Sequence, residues 1–171
     1  KGTIAKQLVD RNKDISLSIS CTTRVPRQGE IDGKDYFFIQ KQQFLDKINT
    51  DGFLEYSEHF ENLYGTPKDF VLDTLKNKDV LLEIDVNGGL KVKKNYPDAV
   101  LIMITPPSVQ EIKNRLINRH TESLEKIELR MQRISYELDK QNLYDYSVEN
   151  DKLEEAILQI EQIIKKEKNK I

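Results

Sequence analysis

Along residues 15–20 apolar and polar positions alternate: Ile15, Leu17 and Ile19 fall on one side of an extended segment, and Ser16, Ser18 and Ser20 on the other. That period predicts a half-buried strand. Residues 36–39 predict a short aromatic strand and 53–56 another. Residues 80–85 and 99–105 differ in kind, because their near-continuous apolar runs suit strands covered on both faces, as in a parallel sheet with helices on either side. Pro106-Pro107 closes the second run, and Ser108 with Glu111 forms a capping box for a helix whose apolar stripe is Val109, Ile112 and Leu116. Leu153, Ala156, Ile157, Ile160, Ile163 and Ile164 make a second stripe behind the start signal Asn150-Asp151. A helix over 3–11 opens the chain, and one near 69–76 precedes the first apolar run. Strands alternating with helices predict an α/β core. The stretch 16–79, richer in short strands and turns, reads as a lobe inserted in that core.

Composition narrows the classes. A chain of 171 residues suits one domain with a proper core, and 37% apolar with 33% charged residues describes a soluble protein with a heavily charged surface. The formal charge of −2, from 27 basic and 29 acidic residues, excludes a general electrostatic grip on nucleic acid or on an anionic membrane. An anionic ligand must then be held by basic side chains gathered locally. The single cysteine, Cys21, cannot form an internal disulfide and fits a reducing compartment. No apolar run approaches the ~20 residues that span a bilayer, and no secretory leader is visible, so a cytoplasmic location is expected. The lysine-rich tail at 165–170 reads as a solvated helix end.

Two stretches carry candidate chemistry. Lys1-Gly2-Thr3 runs straight into the first helix, as the end of a phosphate-binding loop does, where helix amides and dipole hold the anion; ordinary surface sequence is the alternative. Residues 20–33 read S-C-T-T-R-V-P-R-Q-G-E-I-D-G and are followed by K-D-Y-F-F. Arg24 and Arg27 flank a proline that stiffens the turn between them. A planar guanidinium grips phosphate through two parallel hydrogen bonds, so a fixed pair can hold a dianion. A polar loop with accidental arginines is the other reading of this segment alone.

From its paired threonines on, the same segment resembles the signature of the guanylate kinase family, T-T-R-x-P-R-x-G-E-x-x-G-x-x-Y, at every fixed position, with Ser20 two residues ahead. The resemblance continues through Gly52-Phe53-Leu54-Glu55-Tyr56, Asn62-Leu63-Tyr64-Gly65-Thr66, Glu83-Ile84-Asp85-Val86-Asn87-Gly88, Pro106-Pro107-Ser108 and Val148-Glu149-Asn150-Asp151. It implies a P-loop kinase core of parallel sheet flanked by helices (1–15, 80–117 and 131–171), a mixed-β GMP-binding lobe (16–79) and a small helical lid (118–130). It implies transfer of a phosphoryl group from ATP to GMP or dGMP. Ser20, Arg24, Arg27, Tyr36 and Tyr64 are expected around the GMP phosphate. Glu55 and Thr66 are expected to read guanine. The carboxylate accepts from the ring N1–H and the exocyclic amine, and a site built on such bonds can discriminate by roughly 10⁴. Asp85 is expected near the base or the water shell of Mg²⁺, with strand termination in solvent as its other reading.

On the ATP side the resemblance implies Lys1, Gly2 and Thr3 at the phosphates, Arg119 and Arg130 closing over the transferring group, and Asn150 near adenine or acting as a helix N-cap. Arg115 and Arg133 are explained as well by ion pairs to Glu111 or Glu137. Gly2 stands where a standard loop carries a metal-binding hydroxyl, so Mg²⁺ is expected to be held through ATP phosphates and water. The chain departs from the family pattern at His120 and Glu61, each in place of glycine. Neither His59 nor His120 has sequence neighbours that suggest a metal site or a general base, and neither is assigned a role. The family pattern also leads one to expect a strand and the start of the glycine-rich loop ahead of Lys1, with a badly destabilised core and no useful ATP binding from a polypeptide that lacked them. Two other functions fit the fold: a catalytically inactive module that binds phosphorylated peptides, and a related kinase with another acceptor. Retention of Lys1, Glu55, Arg119 and Arg130 argues against the first; Glu55, Tyr64 and Thr66 argue against the second.

Overall fold

The structure is a computed structural model, and it describes residues 2–59, 61–118 and 123–170. The chain divides into two compact units, Lys1–Pro97 and Asp98–Ile171.

In the first unit α1 (Gly2–Arg11) buries Ile4, Ala5 and Leu8, a spacing that places all three on one helical face. The chain then enters β1 (Ile15–Leu17), which pairs in parallel with β6 (Asp79–Leu81). The alternation over 15–20 predicts one strand, but β1 stops at Leu17. The Ser18 amide still donates to Leu81, whereas the Ser20 carbonyl accepts from Phe37. The segment therefore passes from one sheet to another. It continues as β2 (Cys21–Thr22) in a four-stranded sheet of order β3-β2-β5-β4, with β3 (Phe37–Phe38), β4 (Phe53–His59) and β5 (Asn62–Pro67). β2 and β3 run parallel, and the other neighbours are antiparallel. The sheet is mixed, and β4 runs three residues past the predicted end at 56.

Two helices in this unit were not expected from the pattern. α2 (Lys41–Asn49) is closed by a reciprocal Gln40–Gln43 capping box and buries only Phe44, whose ring stacks on Phe53 with centroids 4.4 Å apart. α4 (Val86–Asn95) follows β6 directly and is capped by Asp85. α3 (Lys68–Thr74) lies where a helix is predicted. β6 covers only two residues of the apolar run at 80–85, and Val80, Leu81 and Leu82 are half-buried rather than covered on both faces.

The second unit holds β7 (Ile102–Thr105) paired in parallel with β8 (Tyr146–Glu149). β7 shows alternating burial, with Met103 and Thr105 inside, so it too is half-covered and not a doubly buried strand. α5 (Val109–Asn118) begins one residue after Ser108. α6 (Leu124–Asp139) buries Ile127 and Met131, four residues apart, and is capped by Ser123. A short 3₁₀ turn leads to β8, and α7 (Leu153–Lys168) packs Ala156, Ile157 and Ile160 inward on the predicted stripe. Mixed α/β with parallel strand pairs is the observed class.

Candidate active site

Successive residues of a strand face opposite ways, so β4 turns Glu55, Ser57 and His59 to one side and the exposed Tyr56 and Glu58 to the other. Across the register stand Thr66, Tyr64 and Asn62 of β5. Glu55 and Thr66 are buried, at 6% and 0% exposure, and the Thr66 hydroxyl donates to Glu55 Oε1 at 2.6 Å. A charge is expensive in such a place unless a ligand completes its hydrogen bonds. Burial accordingly pushes the Glu55 carboxyl above its usual range; the Thr66 hydroxyl opposes the rise and Asp85 adds to it. The second oxygen, Oε2, comes so close to Gly88 at the start of α4 that a β-carbon there would stand 2.6 Å from it.

Tyr64 and Tyr36 meet edge to face, with ring centroids 6.0 Å apart. The Arg24 guanidinium lies over the Tyr36 ring at 5.5 Å and over Phe38 at 5.8 Å. Arg24 is held by a bidentate pair to Glu30, at 2.8 and 3.0 Å, and by the Val25 carbonyl at 2.9 Å. Those bonds raise the Arg24 pKa, the Glu30 hydrogen bond most and the Tyr64 hydroxyl less. A guanidinium has five N–H donors; Glu30 and Val25 take three and the Tyr64 hydroxyl a fourth, which leaves one for a phosphate unless Glu30 or Tyr64 yields. Arg27 is exposed beside this pair, its backbone amide donating to Glu30 Oε2 at 2.7 Å. Ser20 is half-buried at the entry to β2. Tyr36 is pushed up, by burial first and by Glu83 next.

Asp85 does not end a strand in solvent. Its Oδ1 accepts the Gly88 amide at 2.8 Å as the N-cap of α4, and its Oδ2 pairs with His59 Nε2. Burial pushes this carboxyl up, but the Gly88 amide and the His59 and Ser57 side chains outweigh it and hold Asp85 below its usual range. Sequence reasoning left His59 without a role, and the structure gives it a carboxylate partner 26 residues away. The continuing two-residue period from Glu55 was the available signal. Glu83 is a second acid that the motif contained without a role. Its carboxylate lies 3.6 Å from where a Gly2 β-carbon would be, beside the N-terminus of α1.

On the other side of the expected chemistry, Lys1, Arg119 and His120 lie outside the described residues, as do the side chains of Glu111 and Arg115. Gly2 and Thr3 are exposed in the first turn of α1. Arg130 is exposed on α6. Arg133 pairs with Glu137 at 3.3 Å, the ion-pair alternative weighed for it. The N-cap of α7 is Lys152, so Asn150 is not its cap; the Asn150 amide donates to Thr105 at 2.8 Å and extends the β7–β8 register.

A β-hairpin that buries a carboxyl beside a helix N-terminus, with an arginine–tyrosine cluster beside the same sheet, brings hydrogen-bond acceptors and cationic donors together in one unit. Comparison with known proteins gives the family. A family model described as guanylate kinase matches residues 1–167. The chain is 46% identical over 172 aligned positions to a guanylate kinase of Clostridium tetani, covering all of this chain and 82% of that one. It is 47% identical to that of Caldanaerobacter subterraneus subsp. tengcongensis, with 100% and 84% covered. A crystal structure of guanylate kinase from Anaplasma phagocytophilum superposes with a TM-score of 0.80 at 32% identity, over 97% of this chain and 81% of that one. The chain belongs to the guanylate kinase family.

Proposed function

We infer that this chain is an ATP:GMP phosphotransferase, converting ATP and GMP to ADP and GDP. The observation that carries the reading is the buried Glu55–Thr66 pair, a carboxyl that accepts the Thr66 hydroxyl at Oε1 and turns Oε2 toward Gly88 at the head of α4. Guanine offers N1–H and an exocyclic amine to that carboxylate and an acceptor to the threonine. Adenine offers no such donor pair and would leave Glu55 buried and unpaired, a cost of roughly 1–3 kcal/mol or more. Ser20, Arg24, Arg27, Tyr36 and Tyr64 take the GMP phosphate in this reading, and Asp85 stands near the base.

A phosphate oxygen of GMP attacks the γ-phosphorus of ATP in line. The new P–O bond forms as the bond to the bridging oxygen breaks, and the electron pair leaves on ADP. The GMP phosphate is already a dianion, so no base is required and catalysis rests on positioning and positive charge. Lys1, Gly2, Thr3, Arg119, Arg130 and Asn150 are assigned to ATP from their motifs, with Arg119 and Arg130 closing over the transferring group. Mg²⁺ carried on the ATP phosphates would neutralise charge developing on the β- and γ-oxygens. Glu83, whose carboxylate lies beside Gly2 at the N-terminus of α1, would hold a water of that ion in this reading. We retain the division into core (1–15, 80–117 and 131–171), lobe (16–79) and lid (118–130). The location is taken as cytoplasmic, with GMP, dGMP and ATP as small-molecule partners; no helix among the described residues is long and apolar enough to cross a membrane.

A coupled assay over GMP, dGMP, AMP, CMP and UMP tests the reading. Turnover is expected with the two guanine nucleotides, and equal rates on all five would defeat it. Arg27→Ala is expected to lower kcat/KM for GMP by about 10²–10³-fold, the usual cost of removing a donor aimed at developing charge. Near-normal kinetics would remove Arg27 from the phosphate clamp.

A further inference from the structure

Of the three β4 side chains facing the site, guanine reading uses Glu55 and leaves His59 unexplained. His59 Nε2 lies 3.0 Å from the Ser57 hydroxyl and pairs with Asp85 Oδ2, and its ring sits 5.9 Å from that of Tyr64. The two paired side chains are mostly enclosed, at 25% and 11% exposure. To serve a carboxylate, Nε2 must carry the proton.

The pairing matters because of what Asp85 faces. The carboxylates of Glu55 and Asp85 converge on Gly88 at the head of α4: Glu55 Oε2 fills the space where a β-carbon would stand, and Asp85 Oδ1 accepts its amide. The exocyclic amine of guanine has two hydrogens. Glu55 takes one together with N1–H, and the second needs another acceptor on the same side. Asp85 is that acceptor if its carboxylate plane is fixed. The terminal torsion of an aspartate is broad, so the Gly88 bond at Oδ1 leaves the plane free to swing. Bonds from His59 at Oδ2 and from the Ser57 hydroxyl hold the other side, and His59, 3.0 Å from that hydroxyl, positions both. Each carboxylate oxygen has two lone pairs, so Oδ2 can accept from both His59 and the ligand amine.

We propose that His59 is a specificity-positioning residue: it fixes the Asp85 carboxylate to receive the exocyclic amine, and so favours GMP over a purine monophosphate that lacks this amine. The inference rests on the GMP reading above. It is tested by calorimetric titration of GMP and of IMP, which lacks the amine, into the parent protein and its His59→Phe, His59→Asn and His59→Gln variants. His59→Phe removes the donor, and His59→Asn places its amide where Nδ1 was and falls short of Asp85. Both are expected to weaken GMP by about three- to tenfold, the worth of one hydrogen bond, while IMP affinity stays that of the parent. His59→Gln carries its amide to the Nε2 position and is expected to keep the parent's preference. Parental GMP/IMP selectivity in both donor-less variants overturns the proposal, as does equal loss of the two nucleotides, or a Gln variant as impaired as the Phe variant. A parent that does not bind GMP overturns the GMP reading itself, and this proposal with it.

Discussion

Glu55 is 6% exposed, and its carboxyl is held above the usual range by burial. A group whose pKa is raised in the folded state stabilises the fold fully below its unfolded value, ~4.3 for glutamate, and loses that contribution as pH rises through the folded value. At neutral pH the free protein therefore carries the cost of a dry carboxylate. Glu55→Gln keeps an acceptor for Thr66 and removes the charge. Its melting temperature is expected to exceed the parent's at neutral pH, with the gap closing as pH falls into the ordinary carboxylate range, while the preference for GMP disappears. Melting curves across that range check the sign, and a variant less stable at neutral pH would contradict it. Asp85 runs the other way. Its depressed pKa contributes stability that is present above the ordinary aspartate value and is lost as pH falls through the depressed one. At this scale the motif revealed Glu55, Thr66, Arg24 and Tyr64. His59 was illegible because its partner comes from a distant turn of chain, and only folding brings them together.

The two unexpected helices show what periodicity alone misses. α2 has a single buried residue, Phe44, which joins Cys21 and Phe53 in one cluster, so it lacks the repeated stripe that announces a helix. α4 contains Gly88 and Gly89 in its first turn, and glycine costs ~1 kcal/mol relative to alanine in a helix interior. Its start is secured by the Asp85 cap and by the burial of Val86 and Val92. Gly88 is required by proximity: an alanine β-carbon would stand 2.6 Å from Glu55 Oε2 and 3.1 Å from Cδ. Gly88→Ala gains helix propensity, so folding stability is expected to change by no more than ~1 kcal/mol. The Glu55 carboxylate must nonetheless move, and GMP affinity is expected to fall by about tenfold or more, as for a lost charge-assisted bond. Calorimetry and thermal melts together read this split, and unchanged GMP affinity would show that Glu55 is not confined as described.

For the whole molecule, every candidate assigned to GMP lies within Lys1–Pro97, from Ser20 to Asp85. Hydrogen exchange with GMP alone is therefore expected to slow amides of β4, β5 and the head of α4, and an ATP analogue to add protection at the start of α1. GMP at about 100 times its Kd should also stabilise the fold by ~2.7 kcal/mol through mass action, and AMP at the same concentration should not. GMP protection confined to Asp98–Ile171 would refute the placement of the site. The balanced charge agrees with this proposal, which asks only for a local cationic grip from Arg24 and Arg27.

The sequence by itself determined the α/β class, the buried face of α7 and the family to which the motifs belong, because periodicity and motif spacing are properties of the local chain. Tertiary structure decided where 15–20 crosses between sheets, that 80–85 yields a short strand and a capped helix, and that Glu55, Asp85 and His59 meet around Gly88. Those outcomes depend on strand register and on contacts between residues far apart in the chain, and both exist only once the backbone has folded.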